Sequence, residues 1–599
     1  MRRELLTLSL LLLTSTAHAE DVVITANRVE VPAEAVSEDV TVITKEEIER
    51  YGLTSVTDVL EYLSGIHISS NGGFGQTTSV FMLGLPSKHI LVMVNGVPLY
   101  DPSRIGGEAN FEWIDLSNIE RIEVIKGPQG ALYGSDAVAG VINIITKRPK
   151  EKEFRVNLEG GKYKSFKERI YGALPLKEGF LSFSFENFKT NGFSATNDKS
   201  PYYESDNDGF RYKTGWLSYG YRPNGWLRIT GDLKVKGGSV DFDANNPNPQ
   251  YAVPKAKGTY DNFFTDLKAD ALISDNFSIT ATLGHNREER EYYFGSYTGV
   301  LRYISFQPVY YFGDNLFITG GVNYRQEKAD FSERVSAHLK SAFAELHGLF
   351  YGLSTTVALR RDLHSRFGGK TTYKLSAGYT FKPTGTKVRA QYGTGFKAPS
   401  LYQLYGPWVG NDSLKAETSE GWNVGVDQKL PFIKGKLSLT YFKNHVWNLI
   451  DWSWTTYKYE NTGKALTEGV ELKGEVELTD FLTLFGNYTH LRAKEYDPSA
   501  GSWERLARRP EFSYTLGFKG SYGKLSFSAW ALHYSDREDT NGKTLGGFTT
   551  YNCYASYRLG DNLELYAKGV NLTDKDYELA YGYNTMGRAL FVGATYSFK

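Results

Sequence analysis

The sequence is poor in several features that mark common protein classes. It has one cysteine, Cys553, so an intramolecular disulfide framework and a cysteine-based zinc site are excluded. Its 68 basic and 68 acidic residues balance, which removes the electrostatic argument for a nucleic-acid partner. After the N-terminal segment there is no run of about 18 apolar residues, so membrane-spanning helices are not expected. The histidines are scattered and no G-x-S-x-G motif is present, so the sequence does not indicate an enzyme.

Aromatic residues and glycine are abundant instead. The chain has 42 tyrosines, 35 phenylalanines and 10 tryptophans, which make up 15% of its residues, together with 61 glycines. Tyrosine and phenylalanine are enriched in β-strands, so this composition favours a protein with many strands. At 599 residues the chain exceeds one ordinary hydrophobic core, and two domains or one very large one are expected.

The first 19 residues are typical of a secretory signal peptide. Arg2 and Arg3 provide a charged start, residues 5–13 form a short apolar core, and Ala17-His18-Ala19 is an A-x-A cleavage site. We therefore expect export across the inner membrane and a mature chain that begins at Glu20.

Residues 119–147 are the most informative stretch. Two β-branched runs, at residues 119–125 and 141–146, flank a loop of glycines and other small residues. The second run is almost wholly apolar, which predicts a strand buried on both faces. A glycine-rich turn can also hold phosphate, but neither G-x-x-x-x-G-K-[ST] nor G-x-G-x-x-G occurs in this stretch. A nucleotide site is therefore not expected.

Residues 37–149 are predicted to form a small α+β domain. A polar helix is expected at residues 45–51, and a second helix near Ser55, where Asp58 follows in capping-box spacing. Strands are expected at residues 40–44, 66–69, 79–83 and 90–94, and Asn95-Gly96 favours a hairpin turn.

Two loops of this domain are polar and irregular, at residues 71–78 and 100–110. They could be ordinary solvated turns. If the domain sits inside a barrel, however, loops at its top would face a ligand.

From about residue 150 onward, short segments alternate apolar and polar residues, as in LSFSFE at residues 181–186. One apolar and one polar face per strand is typical of a transmembrane β-barrel. A soluble sandwich shows the same period, but its core stops growing at roughly 250 residues. At about 10 residues per strand plus a comparable loop, the roughly 450 residues here predict about 22 antiparallel strands. The predicted fold is an all-β transmembrane barrel, wide enough to need the N-terminal α+β domain as a filling domain.

Several motifs resemble the TonB-dependent outer-membrane receptor family. They are ERIEVIKGP at residues 120–128, ALYGSDA at 131–137, GVINIITK at 140–147, GTGFKAPSLYQLYG at 393–406 and VNLTDKDYELAYGYNTMGR at 570–588. The resemblance implies a plug domain at residues 37–149 inside a barrel at residues 150–599, surrounded by outer-membrane lipid. It also implies transport without covalent chemistry, energised by TonB together with ExbB and ExbD.

Residues 20–36 form a leader that contains a strand-like hexapeptide. Taken alone, the hexapeptide could be an edge strand of the next domain. Its position before a plug resembles the TonB box of the family, which works by β-augmentation: a free strand lends its backbone hydrogen bonds to a partner's sheet edge. The resemblance implies that the TonB-binding residues are Asp21, Val22, Val23, Ile24, Thr25 and Ala26.

Within the family, the sequence is most similar to the cobalamin (vitamin B12) receptors. The motifs that show this are VITANR at residues 23–28, NGGFGQ at 71–76, SDNDGF at 205–210 and DKDYELAYGY at 574–583. The resemblance implies ligand contacts from Asn71, Phe74, Gln76, Ile105 and Gly106. Siderophore receptors share most plug motifs, so an iron chelate is the alternative ligand. A passive porin is the alternative of another class, although the leader and the filling domain argue against it.

One acidic region is a candidate metal site. Asp198, Glu204, Asp206, Asp208 and Asp243 supply oxygen donors, which hard cations such as Ca²⁺ prefer. SDNDGF, and FDA at residues 242–244, also resemble the calcium-binding loops of cobalamin receptors. The resemblance implies Ca²⁺ in these loops, and the alternative is a solvated acidic surface. No cofactor with a chemical role is expected.

Overall fold

The computed structural model describes residues 23–24, 28–29, 31–32, 35–244, 252–497 and 501–598. In this part of the chain, a closed β-barrel surrounds a smaller domain of mixed α and β structure. The predicted signal peptide at residues 1–19 lies outside the described residues, as do Asp21, Val22, Thr25 and Ala26 of the predicted TonB box.

The smaller domain, here called the plug, precedes the barrel. Its elements in chain order are β1 (Val23–Ile24), β2 (Val31–Pro32), β3 (Asp39–Thr44), α1 (Lys45–Arg50), α2 (Val56–Glu61), β4 (Ile66–Ser70), β5 (Thr78–Met82), β6 (Ile90–Val94), β7 (Val97–Pro98), β8 (Ile119–Lys126), α3 (Gly130–Tyr133) and β9 (Gly140–Thr146). Two 3-10 turns lie at Ser87–His89 and Phe111–Trp113.

A five-stranded sheet with the order β3-β8-β9-β6-β7 forms the centre of the plug. β6 and β9 pair in parallel and are buried along their whole length, as the apolar sequence of β9 predicts. Val56 and Leu60 of α2 join Ile122 and Val124 of β8 in one apolar core. At the opposite side of the sheet, β7 is the edge strand.

Local sequence explains a helix start and a turn that position this sheet. The Ser55 side chain accepts from the Asp58 N–H, and the Asp58 side chain accepts from the Ser55 N–H, which is the predicted capping box. Asn95 and Gly96 have φ of 51° and 85°. A two-residue hairpin needs these left-handed values, and Asn-Gly adopts them at low cost. The turn joins β6 to β7, as predicted.

The barrel consists of 22 antiparallel strands, the number predicted, and its last strand pairs with its first. The strands of the barrel domain and the one α-helix in its loops are, in chain order, β10 (Glu153–Gly161), β11 (Ser165–Leu176), β12 (Gly179–Thr190), β13 (Phe210–Asn224), β14 (Leu227–Phe242), β15 (Ala256–Ser274), β16 (Phe277–Tyr292), β17 (Gly295–Tyr311), β18 (Leu316–Asp330), β19 (Arg334–Phe350), β20 (Leu353–His364), β21 (Gly368–Phe381), β22 (Thr386–Lys397), α4 (Leu401–Tyr405), β23 (Glu417–Leu430), β24 (Gly435–Ser453), β25 (Lys458–Thr479), β26 (Leu482–Asp497), β27 (Ser502–Arg505), β28 (Phe512–Tyr522), β29 (Leu525–Tyr534), β30 (Arg537–Glu538), β31 (Thr544–Leu545), β32 (Phe548–Leu559), β33 (Leu563–Val570) and β34 (Ala589–Phe598). β27 and β28 form one interrupted strand, because both pair with β26. β30 and β31 form a separate ribbon within a loop.

Side chains alternate between the lumen and the outer surface. On β20, Val357 and Leu359 are exposed on the outside, whereas Thr356 and Asp362 are buried on the inside. The turns at one end of the barrel are all short, and the long loops all lie at the other end, as in transmembrane barrels whose long loops face outward. We call these the short-turn end and the long-loop end. None of the helices in the described residues is long and apolar enough to cross a membrane.

Buried ion pairs fasten the plug to the barrel wall. Their barrel partners lie on β14, β18, β21, β22, β23 and β25. Examples are Glu38 with Lys374 (2.5 Å), Asp39 with Lys473 (2.7 Å), Lys88 with Glu417 (2.7 Å), Asp115 with Lys234 (3.3 Å) and Lys236 (3.5 Å), and Asp136 with both Lys397 (2.5 Å) and Arg325 (2.7 Å).

Candidate ligand-binding site

The first predicted ligand loop, at residues 71–78, forms a crest of the plug near the long-loop end. Its polar side chains reach the barrel: the side-chain oxygen of Asn71 accepts from Arg508 at 3.2 Å, and the buried Gln76 amide donates to the Asp241 backbone oxygen at 2.7 Å. Phe74 packs against three aromatic rings of the wall and its loops, those of Tyr163, Phe188 and Phe193. A ligand above the crest would therefore meet a surface shared by the plug and the barrel loops.

The second predicted ligand loop, at residues 100–110, is folded around the buried Arg104. The Arg104 guanidinium donates to Glu108 at 3.1 Å, to Glu112 at 3.3 Å, and to the side-chain oxygen of Asn110. This network leaves Ile105 at the tip of the loop with 53% of its surface exposed. Ile105 therefore presents the most exposed side chain of the five predicted ligand residues.

Gly106 is placed differently from Ile105. It is buried, and its N–H donates to Glu108 at 2.8 Å. A β-carbon at this position would lie 2.6 Å from the Lys88 β-carbon, so any side chain would force the loop to shift. Gly106 thus shapes the loop through its backbone.

Sequence reasoning missed the short helix α4, which lies against this loop. The Ser400 hydroxyl accepts from the Gln403 N–H at 3.0 Å and donates to the Ile105 carbonyl oxygen at 2.5 Å. The ring of Tyr402 packs near those of Tyr297, Phe331 and Tyr459. The spacing of Ser400 and Gln403 is a capping-box pattern that could have indicated the helix. Its contact with Ile105 spans 295 residues and has no local signal.

The acidic region lies beside the crest, in the loops after β12 and β14. Glu204, Asp206 and Asp243 each offer a carboxylate oxygen within 4.8 Å of the others. One oxygen of Asp206 and one of Asp243 are buried without a hydrogen-bond partner among the described residues. Asp198 stands outside this group, in an exposed turn. The three converging carboxylates are the kind of donors that a hard cation takes.

Asp208 is buried near this group, and its carboxylate accepts from the Ala195 N–H at 2.6 Å. Burial, together with the negative charges of Asp243, Asp206 and Asp241, raises the pKa of Asp208 from 3.8 to about 7, against the opposing effect of that hydrogen bond. The loop therefore holds crowded negative charge that a cation would relieve.

The long loop at residues 571–588 clamps the acidic region, a contact that sequence reasoning also missed. The Asn584 amide donates to the carbonyl oxygens of Ser194 at 2.9 Å and Thr196 at 2.7 Å. Thr196 in turn donates to Asp243 from its N–H at 2.8 Å and from its hydroxyl at 2.5 Å. Asn584 and Thr196 are 388 positions apart, so no local pattern could place them together.

At the short-turn end, the two described residues of the predicted TonB box, Val23 and Ile24, form β1. β1 pairs antiparallel with β2, so the leader holds its own strand in a small hairpin. Between these strands, Arg28 donates to the Leu132 carbonyl oxygen at 3.1 Å and to the Tyr303 hydroxyl at 3.0 Å. A two-residue pairing is short enough to be released, after which the strand could add to a partner's sheet edge.

Both parts of the chain match known protein families. The family described as TonB dependent receptor-like, beta-barrel matches residues 161–572, and the TonB-dependent receptor plug domain matches residues 32–141. The vitamin B12 transporter BtuB of Vibrio vulnificus is 30% identical over 98% of this chain and 98% of its own length. A protein of the same name from Photobacterium profundum is 30% identical over 100% of both chains.

Solved structures show the same fold. The siderophore receptor PirA from Acinetobacter baumannii has a TM-score of 0.81 and 18% identity, covering 95% of this chain and 100% of its own. A ferric enterobactin receptor (PfeA) mutant from Pseudomonas aeruginosa has a TM-score of 0.79 and 21% identity, covering 93% and 99%. The matched families and relatives are transporters and receptors rather than enzymes. The chain thus belongs to the TonB-dependent receptor family of the outer membrane and is a TonB-coupled receptor and transporter.

Proposed function

We propose that the transported ligand is cobalamin or a related corrinoid. The observation behind this proposal is the 30% identity, over essentially the whole length, to two proteins named vitamin B12 transporters. The siderophore receptors among the structural neighbours are 18% and 21% identical, which reflects the shared barrel and plug. They make an iron chelate the second candidate.

The charges around the ligand loops favour a ligand of low net charge. Four cations there are already paired: Arg104 with Glu108 and Glu112, Lys88 with Glu417, Arg290 with Asp101, and Arg508 with Asp539. An anionic ferric chelate would bind better to cations that are not already paired with a carboxylate. The exposed Ile105 and the tyrosines around α4 instead offer apolar and aromatic contact beside a few polar groups. Such a surface suits a large amphipathic ligand with many amide arms.

The purified receptor should bind cyanocobalamin with a sub-micromolar Kd, about −8 kcal/mol or stronger. Ile105→Glu places a charge on the exposed tip, and desolvating that charge under a bound ligand should weaken binding about tenfold or more. Gly106→Glu should weaken it as well, because the new side chain must displace Lys88. Isothermal titration calorimetry measures these affinities, with Ile105→Leu as the matched control. Tight binding of a ferric siderophore without detectable cyanocobalamin binding would contradict the corrinoid assignment and leave the transporter class intact.

Energy for transport comes, in this proposal, from TonB with ExbB and ExbD, through a strand added by the leader to TonB. The signal peptide at residues 1–19 exports the chain, and outer-membrane lipid surrounds the barrel. Asn71, Phe74 and Gln76 contribute to the ligand surface through the crest.

Calcium is a further part of this proposal. Glu204, Asp206 and Asp243 fit a hard cation because their oxygens converge and two of them are buried without a donor among the described residues. Gln76 donates to Asp241, two residues before Asp243. A bound ion that orders the acidic loops would therefore also hold the crest in position beneath the ligand.

Asp206→Asn should lower calcium affinity about tenfold or more, because it removes one of the converging charges. Asp198→Asn is the matched control, since Asp198 lies outside the group. Calcium titration by calorimetry and hydrogen exchange of residues 194–209 provide the measurements. If both variants bind calcium equally, or if calcium leaves the exchange of the loop unchanged, the region is only a solvated acidic surface.

Calcium affinity should rise between about pH 6 and about pH 8, because bound carboxylates must be ionised. Asp208 has a raised pKa of about 7. A carboxyl with a raised pKa stabilises the folded loop fully below its ordinary pKa of 3.8, where it is protonated. This stabilisation is lost as the pH rises through about 7. The calcium-free loop should therefore be least protected at high pH, where added calcium should have its largest effect. Calorimetry across this range tests the expectation, and an affinity that does not vary with pH would contradict it.

A further inference from the structure

A cavity of about 680 Å³ lies between the plug and the barrel wall and extends toward the short-turn end. Its wall side is formed by β11 to β17, with Thr230, Thr282 and Ser305 among the lining residues. Its plug side includes the Asn95-Gly96 turn and Arg148, which follows β9. The buried ion pairs that fasten Glu38, Asp39 and Asp136 reach other strands, β18, β21, β22 and β25.

The β6–β7 hairpin separates this cavity from the long-loop end. The Asn95 amide donates to the Asp232 carboxylate of β14 at 2.9 Å, and the Thr146 hydroxyl donates to the same oxygen at 3.2 Å. Val97 of β7 is fully buried, and a β-carbon built at Gly284 of β16 would lie 3.2 Å from the Val97 β-carbon. The hairpin therefore rests directly on the wall above the cavity.

The ligand loop at residues 100–110 follows β7 without a break and lies against the same strands. Arg290 of β16 pairs with Asp101 at 3.2 Å, and the Asn286 amide donates to the Tyr100 carbonyl oxygen at 3.4 Å. The loop, the hairpin and the cavity are thus stacked along one side of the lumen. Because β7 is the edge strand of the plug sheet, it can move without breaking the pairing of β6 with β9.

We propose that the transported ligand leaves the barrel through this cavity, along β13 to β17, once β7 and the loop after it have moved off the wall. The inference rests on the proposed corrinoid function and adds the path that the ligand takes. Opening the side that faces β18 and β21–β25 would separate buried ion pairs, and a buried charge that loses its partner is strongly unfavourable. On the cavity side, moving β7 and residues 100–110 separates one ion pair, Arg290 with Asp101, and the hydrogen bond of Asn95 to Asp232. The buried pairs of Asp115 with Lys234 and Lys236 lie beyond the moving segment and stay intact.

The lining of the cavity suits such a path. The hydroxyls of Thr230 and Thr282 can exchange hydrogen bonds with the amide arms of a passing ligand, and charged side chains such as Arg148, Arg228 and Lys268 keep the lining polar. A path that conducts must bind weakly at several places rather than tightly at one. The leader reaches the same cavity, because Arg28 lines it and donates to Tyr303 of β17. A pull on the leader would therefore act at this side of the plug.

A disulfide that ties the hairpin to the wall tests the path. In a Cys553→Ser parent, Val97→Cys with Gly284→Cys joins positions whose β-carbons lie close to the separation of about 3.5–4.5 Å found in disulfides. The control ties the plug to β22 with the same residue types, Val138→Cys and Gly395→Cys, where a β-carbon at Gly395 would lie 3.8 Å from the Val138 α-carbon. Both oxidised receptors are assayed for cyanocobalamin binding and for TonB-dependent uptake by cells.

We expect the oxidised Val97–Gly284 variant to bind ligand but to lose uptake, and we expect a reductant to restore that uptake. The oxidised control should transport like the parent. Uptake at the parent's rate by the oxidised Val97–Gly284 variant would overturn the proposed path. Equal loss of uptake in both disulfide variants would overturn it too, because the whole plug would then have to move.

Thr282→Trp, which narrows the cavity, should slow uptake at saturating ligand without changing affinity. A parent that takes up no cyanocobalamin would instead refute the corrinoid function, so the two failures are distinguishable.

Discussion

Ile24→Pro should abolish TonB-dependent uptake while ligand binding to the purified receptor persists. Strand addition gains its affinity from backbone hydrogen bonds, and proline removes the N–H donor and fixes φ. Ile24 lies in β1, at the short-turn end and opposite the predicted ligand loops. The substitution should therefore leave the affinity for ligand unchanged and reduce uptake to the level of cells without TonB.

Ile24→Ala is the matched control, because it removes the side chain and keeps the backbone donor. It should retain most of the uptake. Thr25→Pro, in the same predicted box, should behave like Ile24→Pro. Uptake of labelled ligand by cells and calorimetry on purified receptor separate transport from binding. Normal uptake by both proline variants would indicate a passive pore.

Lys374→Met should loosen the plug in the barrel. Lys374 and Glu38 are fully buried side chains 2.5 Å apart, and Glu38 also accepts from Ser376 at 3.0 Å. Removing one member of a buried pair leaves an uncompensated charge, at a cost of about 3–5 kcal/mol. We expect a lower unfolding temperature and larger conductance in planar bilayers, because a displaced plug leaves a wide lumen.

Two variants make this result specific. Glu38→Gln combined with Lys374→Met removes both charges and should recover most of the lost stability and the closed state. Asp330→Ala breaks an ion pair with Arg334 that is exposed to solvent and should change neither quantity, since exposed pairs contribute little. A Lys374→Met receptor that stays closed and equally stable would show that this pair does not hold the plug.

Those elements that depend on nearby residues were predictable from the sequence. The Ser55–Asp58 capping box and the Asn95-Gly96 turn are set within four residues, and their geometry follows the prediction. The number of barrel strands followed from the period of two and the length of the chain, because a closed barrel uses one repeated unit.

The details of the site were less predictable, since they depend on residues that meet only in the folded barrel. Gln76 donates to Asp241 across 165 positions, and Ser400 donates to Ile105 across 295. Nothing near Gly106 indicates that Lys88 occupies the space above its α-carbon. The sequence therefore predicts which loops meet the ligand, and the wall around them decides which of their side chains remain exposed.

The most direct test of a TonB-coupled corrinoid transporter is uptake of labelled cyanocobalamin by cells whose only corrinoid receptor is this protein, with and without TonB. Strand addition from the leader is the coupling step in this account. Accumulation should therefore occur in cells with TonB, and cells without it should show only surface binding. Accumulation at the same rate in both strains would contradict the account.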